Sequence, residues 1–309
     1  MLTLKSIGRA AKPEYLFRPH QIARRIWIEA LPRSSVPTLV WLPWNYPIVV
    51  NPSEQIGWAI YSRAIYELPL TEALFRLASP GDIVIDGGAN IGYATSILGA
   101  RIGKTGTVHS FEPNPRVFGE LRKNVALWEE RGQRGAFVLH QEALGADEGF
   151  ATLHVPDSSD SNAGRARIES SRIDEPGTRL DVTVTALDNL FANGEKISVV
   201  KLDLEGFELT ALQGMQKLLH ERRIDAIVFE EHDAYPARTH DFLKRAGYSI
   251  FGLDYRLCGI ECCPERQPRF DPVFGPPTNY IATHNPSKTV GLLERGIWRS
   301  FGLGSYFSK

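Results

Sequence analysis

The chain has 309 residues, of which 43% are hydrophobic and 23% charged, so it is long enough for one large α/β domain with an extension or for two small domains. Its formal net charge of −1 provides no broad basic surface, and no nucleic-acid partner is expected. Three cysteines, Cys258, Cys262 and Cys263, have no second ligand pair at a zinc spacing, so a reduced, cytoplasmic chain is the simpler interpretation.

No segment is predicted to cross a membrane. Residues 1–11 lack the apolar core of a signal peptide, which is about 7–15 residues long. The longest apolar stretch, residues 38–50, is interrupted by Pro43 and Pro47, and it is shorter than the roughly 20 residues that a membrane helix needs.

Residues 1–78 are predicted to form an N-terminal extension of helices and a hairpin, which caps the domain or contacts the substrate or a second copy of the chain. Its first 33 residues are basic, with an amphipathic helix expected after Pro19, and we favour domain capping or a homodimer contact over membrane binding. A proline-broken hairpin is expected at 38–50. Helices should follow at 55–66 and 71–78, with Thr71 as the N-cap of the second.

Strands and helices then alternate over residues 79–285, which predicts a doubly wound, mainly parallel sheet of seven strands. The expected strands are 83–86, 107–112, 136–140, 197–203, 226–230, 248–253 and 280–283. An insertion at 145–195 should carry a β-hairpin and a polar loop, 157–177, of the kind that forms lids or substrate walls. Residues 258–277 are expected to be irregular, and 286–309 form a partly helical tail.

A glycine-rich turn connects the first predicted strand to its helix. The strand ends at Asp86, and the turn runs to Gly92, so a ligand can approach the backbone and the N–H groups at the helix start. Glu112 ends the next strand, 26 residues after Asp86, near the roughly 20-residue spacing at which an acid meets ribose hydroxyls. The dinucleotide pattern G-x-G-x-x-G is not met, because Ala89 follows Gly87 at the second glycine position.

Acidic residues follow five consecutive core strands. In open α/β sheets the ligand binds at the carboxyl ends of the strands, so these side chains should converge on one site. A ligand with an amino group, a ribose diol and an adenine amine explains such a set. The acids are Asp86, Glu112, Glu142, Asp203 with Glu205, and Glu230 with Glu231.

Several motifs in this order resemble the FkbM family of S-adenosylmethionine (SAM) methyltransferases, from about Tyr66 to Leu253. The spacing D-x-G-x-x-x-G is similar to motif I of the class I SAM methyltransferases. The motifs are Asp86–Gly92, Phe111–Asn114, Ala143–Gly145, Thr185–Asp188, Lys201–Glu208 and Phe229–His232. The resemblance implies a Rossmann-like sheet with an antiparallel last hairpin. It also implies O-methylation of a hydroxyl on a sugar, glycan or secondary metabolite. Gly87 departs from the family, which more often has a small β-branched residue there.

The resemblance and the strand-end positions together assign the cofactor site. The glycine-rich turn lies under the methionine portion of SAM, and Asp86 holds its amino group directly or through water. Glu112 takes the ribose hydroxyls, Asn114 with Glu142 and Ala143 borders the adenine, and Asp203 lies near the sulfonium. The predicted cofactor-binding residues are Glu67, Asp86, Gly88, Ala89, Asn90, Gly92, Glu112, Pro113, Asn114, Glu142, Ala143 and Asp203.

Methylation of an alcohol also requires removal of a weakly acidic proton, by a base or with the help of a metal. The candidate bases are His232, Asp203 and Glu205. Asp203, Glu205 and Glu230 form an alternative set of ligands for a divalent cation. Two further readings stay open: a nicotinamide-dependent dehydrogenase, and a non-catalytic interaction module with the SAM fold.

Overall fold

The structure is a computed structural model that describes residues 33–133, 135–156, 166–168, 176–264 and 278–301. The described residues form fourteen strands: β1 Thr38–Trp41, β2 Pro47–Val50, β3 Ile83–Gly87, β4 Thr107–Phe111, β5 Ala136–His140, β6 Ala143–Leu144, β7 Gly149–Pro156, β8 Arg167–Ile168, β9 Gly177–Thr185, β10 Ile197–Leu202, β11 Ile224–Glu230, β12 Ser249–Arg256, β13 Gly259–Pro264 and β14 Asn279–Thr283.

The described helices connect these strands or flank the sheets, and none of them is long and apolar enough to cross a membrane. They are α1 Gln55–Arg63, α2 Leu68–Leu77, α3 Tyr93–Ile102, α4 Pro115–Glu130, α5 Leu187–Leu190, α6 Glu208–Gln213, α7 Gln216–His220, α8 Arg238–Arg245 and α9 Pro286–Leu293.

The central sheet has eight strands, in the order β13-β12-β14-β11-β10-β3-β4-β5. Strands β11, β10, β3, β4 and β5 pair in parallel, and β14 pairs antiparallel with both β11 and β12. This is the predicted doubly wound, mainly parallel arrangement with an antiparallel last hairpin. Because the sheet is covered on both faces, its middle strands are apolar runs such as Ile197–Leu202.

The expected number of seven strands was wrong by one strand. β13 occupies residues that were predicted to be irregular, and it pairs antiparallel with β12, placing Cys262 opposite Leu253. The segment contains two cysteines and ends at Pro264, so its composition carries little strand signal. Pairing with β12 and burial of Ile260 and Cys263 determine its conformation.

The insertion forms a separate four-stranded sheet in the order β6-β9-β7-β8. The predicted hairpin is present as β7 and β9, which pair antiparallel with Leu153 opposite Leu180. The predicted polar loop, 157–177, lies outside the described residues except for 166–168, 176 and 177, and β8 within it pairs with β7.

The N-terminal extension packs directly against the central domain. The hairpin β1–β2 is held to α4, since the Asn124 side chain accepts from the Val49 backbone N–H at 2.8 Å and Trp128 Nε1 donates to the Pro47 carbonyl. Thr71 was wrongly predicted as an N-cap. Helix α2 begins earlier, after Glu67, and the Thr71 hydroxyl donates to the Tyr66 carbonyl at 2.6 Å. The predicted basic helix lies in residues 1–32, outside the described part of the chain.

A buried ion pair fastens the C-terminal tail to α2. Arg76 Nε lies 2.6 Å from Glu72 Oε1, and neither side chain is exposed. The guanidinium also donates to the backbone carbonyls of Leu292 and Ile297, at 3.2 and 2.7 Å. The Glu72 carboxylate also accepts hydrogen bonds from the backbone N–H groups of residues 299 and 300. The extension, the sheet and the tail therefore contribute to one hydrophobic core.

Candidate active site

A cavity opens at the carboxyl ends of β3, β4, β10 and β11, where the topology predicts the ligand site. The structure brings eleven of the predicted site residues to its lining: Gly88, Ala89, Asn90, Glu112, Pro113, Glu142, Ala143, Asp203, Glu205, Glu230 and His232. Four predicted residues, Glu67, Asp86, Gly92 and Asn114, lie just outside that lining.

The glycine-rich turn has almost no free space on its inner side. Gly88 has a φ of +70°, and a Cβ built on it would lie 1.9 Å from the carbonyl oxygen of Asp203. Gly92 is the N-cap of α3 and has a left-handed backbone conformation. A Cβ added to it would lie 2.8 Å from the Leu121 side chain, so both the backbone conformation and the packing favour glycine at this position. The turn is thus pressed against the loop after β10, and only its outer face is available to a ligand.

Glu112 is held by the turn that it faces. Its two carboxylate oxygens accept the backbone N–H groups of Asn90 at 3.0 Å and Asn114 at 2.9 Å. Burial raises the pKa of this carboxyl to about 7. Each oxygen retains a second lone pair, so the group can also accept two hydroxyls. Asn114 itself is buried, and its side chain caps α4 by accepting from Arg116 N–H at 3.1 Å, so it does not border the cavity as expected.

Lys201 is a residue of the site to which the sequence motifs assigned no role. It lies opposite Asp86 in the β3–β10 register, and its Nζ is 3.2 Å from Asp86 Oδ1 and 3.5 Å from Asp203 Oδ2. The same ammonium donates to the carbonyls of Gly87 and Gly88, at 3.1 and 2.8 Å. Burial opposes its charge, but the two carboxylates outweigh burial and raise the pKa of Lys201.

Asp86 is consequently turned away from the cavity. It is completely buried, where it pairs with Lys201 and accepts from the Thr95 hydroxyl at 2.6 Å. Its expected contact with the amino group of a ligand is replaced by an indirect one, in which Asp86 fixes Lys201 and Lys201 fixes the glycine-rich turn. A charged residue inside an apolar strand, as in Lys201-Leu202, is the sequence signal for such a pair.

Three acids, Glu67, Asp203 and Glu230, form what we call the acid cluster, at the end of the cavity beyond Lys201. Glu67 precedes α2 in a left-handed conformation, with φ of 45°, and accepts from the Asn279 side chain at 3.2 Å. Burial and the charge of Asp203 raise the pKa of Glu67. Burial, Asp203 and Glu67 raise the pKa of Glu230 to about 9. Burial and the mutual proximity of these acids therefore favour the protonated forms of Glu67 and Glu230.

The structure does not support the predicted metal ligands. In the described part of the chain, the one group of three potential ligands with atoms within 4.8 Å of one another is Asp254, Glu261 and Cys263, away from the cavity. Glu205 sits on a left-handed turn, with φ of 53°, while the carboxyl of Glu230 contacts Asp203 and Thr278 instead.

Part of the cavity wall comes from outside the predicted motifs. Ile56 and Tyr66 of the extension lie on one side, and Leu153 and Ile168 of the insertion on another. The Tyr93 hydroxyl accepts a hydrogen bond from the backbone N–H of Tyr66 at 2.9 Å, and this contact positions Tyr66 beside Glu67. Burial raises the pKa of Tyr93. The sequence indicated these walls only through the positions of the extension and the insertion, because apolar residues carry no motif of their own.

The comparisons with known proteins agree with this geometry. The family model of the Methyltransferase FkbM domain matches residues 86–250. The chain is 28% identical over 168 residues to hexuronic acid methyltransferase AglP of Haloferax volcanii, covering 54% of this chain and 62% of that protein. It is 29% identical over 178 residues to 31-O-demethyl-FK506 methyltransferase FkbM of Streptomyces tacrolimicus, covering 50% of this chain and 66% of that protein.

The match therefore spans slightly less than two thirds of each of these two relatives. Among solved structures, methyltransferase FkbM of Methylobacillus flagellatus KT aligns with a TM-score of 0.41 and 16% identity, over 66% of this chain and 43% of that one. The family model covers more than half of the present chain, including the glycine-rich turn, Glu112 and the loop after β10. The chain belongs to the FkbM methyltransferase family.

Proposed function

We propose that this protein transfers the methyl group of SAM to a hydroxyl group of a sugar, a glycan or a secondary metabolite. The observation that carries the proposal is the arrangement of Glu112 against the glycine-rich turn. A buried carboxylate, fixed by two backbone N–H groups, faces a turn on which a ligand can lie against the main chain. Family membership supplies the reaction class.

The residues fit SAM in both charge and shape. Glu112 is suited to the ribose hydroxyls, as charged acceptors form strong hydrogen bonds with diols. Pro113, Glu142 and Ala143 line the cavity beyond Glu112, on the side proposed for the adenine. The methionine end of SAM carries an ammonium and a sulfonium, and the acid cluster lies at the corresponding end. When bound, SAM supplies the electrophilic methyl group, and the protein supplies position and proton transfer.

The acceptor is proposed to enter between the extension and the insertion. Ile56, Leu153 and Ile168 line this part of the cavity and provide an apolar surface, while Glu205 and His232 add polar groups. One of the two relatives is named for a hexuronic acid and the other for 31-O-demethyl-FK506. An acceptor with hydroxyls on an apolar or cyclic frame suits walls of this mixed character.

The proposal is tested by incubating the protein with SAM labelled in the methyl group and a panel of hydroxylated glycans and macrocycles. Transfer of label to an acceptor is expected, together with thermal stabilisation by SAM and none by NAD. Stabilisation by NAD alone would favour a dehydrogenase. Binding of SAM without transfer to any acceptor would favour a non-catalytic module.

A further inference from the structure

Lys201 is an internal cation near the ends of two central strands. It lies on β10, where the register places it opposite Asp86 of β3, and its side chain is only 5% exposed. An ion pair inside a parallel sheet costs the desolvation of both charges, whereas apolar residues fill such positions without that cost. The sheet itself therefore does not require this pair, and its place beside the cavity points to a role in the site.

The ammonium of Lys201 is fully engaged by the protein. Its Nζ lies 3.1 Å from the carbonyl oxygen of Gly87, 2.8 Å from that of Gly88, 3.2 Å from Asp86 Oδ1 and 3.5 Å from Asp203 Oδ2. An ammonium has three N–H donors, and these four oxygens can accept all of them. Lys201 therefore has no donor left for a ligand, and it acts on the cofactor through the groups that it holds.

The same contacts occupy an inner carbonyl of the glycine-rich turn. The Gly87 oxygen accepts from Lys201 at 3.1 Å and from the backbone N–H of Asp203 at 3.2 Å. A carbonyl oxygen has two lone pairs, so this oxygen cannot accept a further hydrogen bond from a ligand. The Asp203 side chain, in contrast, is 33% exposed and lines the cavity. Its carboxylate is consequently an acceptor that the site offers to a cationic group beside the turn.

We propose that Lys201 is a positioning residue for the amino-acid end of SAM, because it holds Asp203 and the glycine-rich turn in the arrangement that receives the ammonium of the ligand. The inference rests on the proposed function. Asp203 is fixed through its side chain by Lys201 and through its backbone N–H by Gly87. A carboxylate that is held before the ligand arrives loses less freedom on binding, and this preorganisation strengthens the contact. The adenosine end, on the Glu112 side of the turn, does not depend on Lys201.

Two ligands that differ at the amino-acid end test this inference by calorimetry. S-adenosylhomocysteine (SAH), the product, and 5′-methylthioadenosine share the adenosine and the sulfur atom, but only SAH carries the amino-acid group. Asp203→Asn keeps the size of the side chain and removes its charge. We expect SAH to bind at least about tenfold more weakly and methylthioadenosine to change by less than about twofold, because only SAH loses a hydrogen bond to a charged group. Equal losses for the two ligands, or no loss for SAH, would contradict the inference.

Lys201→Met tests the positioning itself. It is combined with Asp86→Asn, because Lys201→Met alone would leave the buried Asp86 carboxylate without its ion pair. Relative to Asp86→Asn, the combined variant should bind SAH about fivefold more weakly and methylthioadenosine equally well. If Lys201 acts through Asp203, adding Asp203→Asn to the combined variant should weaken SAH by less than the same change does in Asp86→Asn. Additive losses would show that Lys201 does not act through Asp203, and the inference would be wrong.

Lys196→Met is the matched control, since Lys196 is exposed and lies just before the opposite end of β10. This variant should bind both ligands like the wild type. If the Lys201 variant does not fold, Asp203→Asn alone decides the inference through the ratio of the two affinities. A folded wild-type protein that binds neither ligand would instead overturn the proposed function, and the inference with it.

Discussion

The proposed placement of the cofactor depends most on one residue, Glu112. Replacement by Gln keeps the size of the side chain but removes the negative charge to which two hydroxyls would donate, and it turns an amide N–H₂ toward one of the two backbone N–H donors. We expect SAM to bind at least about tenfold more weakly, because each hydrogen bond to a charged group contributes about 1.5–3 kcal/mol. Calorimetry measures this change. Glu129→Gln, exposed at the end of α4, should bind SAM like the wild type.

At the scale of residues, the sequence predicted the groups that follow strands and missed those that lie inside them. Glu112 and Asp203 were found because each ends a strand, and the position of a strand end determines where its side chain points. Lys201 was given no role because its partner, Asp86, is distant in the sequence and adjacent only through the register of β3 and β10. The same pairing explains why Asp86 does not line the cavity.

The glycine-rich turn is the element whose exact shape the site requires. Gly88→Ala should abolish SAM binding or destabilise the protein severely, because the new methyl group would overlap the Asp203 carbonyl at 1.9 Å, and backbone cannot move aside cheaply. Gly119→Ala, within α4, has nothing within 4 Å of the added carbon. This control should stabilise the protein by about 0.5–1 kcal/mol. Denaturation followed by SAM titration checks both variants, and unchanged SAM affinity in Gly88→Ala would contradict the close contact.

The attachment of the tail to α2 predicts a large loss of stability from one substitution. Arg76→Met leaves the Glu72 carboxylate without its ion pair in the core and removes donors from two backbone carbonyls. The expected cost is about 3–5 kcal/mol in urea denaturation. Arg116→Met removes an ion pair to Glu120 in which the arginine side chain is 51% exposed, and should cost less than about 1 kcal/mol. Equal costs for the two variants would show that the buried pair is not essential.

The elements themselves were predictable wherever local sequence and packing agree. The apolar runs predicted seven strands of the central sheet and its mainly parallel order, and the family resemblance predicted the antiparallel last hairpin. The segment after β10 forms two short helices rather than one, Glu208–Gln213 and Gln216–His220. Gly214 lies between them, and its Cβ would be 1.8 Å from the carbonyl of Gly145 in the insertion. Gly145 and Gly214 are far apart in the sequence, so no local pattern predicts the interruption between the two helices.

At the scale of the whole molecule, the central sheet and the outer walls of the cavity contribute different parts of the proposed function. The sheet places the glycine-rich turn, Glu112 and the acid cluster at one edge. Ile56 from the extension and Ile168 from the insertion line the same cavity. Only tertiary packing brings these two segments to the edge of the sheet. Fold and cofactor chemistry therefore follow from motifs in the sequence, whereas the shape of the acceptor site depends on segments without such motifs.

A calorimetric titration of the purified protein with SAH decides whether this cavity is a methyltransferase site. A single site with a dissociation constant in the micromolar range is expected, weakened in Glu112→Gln and unaffected by added NAD. SAH is preferable to SAM here because it needs no acceptor and undergoes no turnover. A folded protein that binds no SAH, or one whose SAH affinity is the same in Glu112→Gln, would contradict the assignment of the glycine-rich turn and Glu112 to the cofactor.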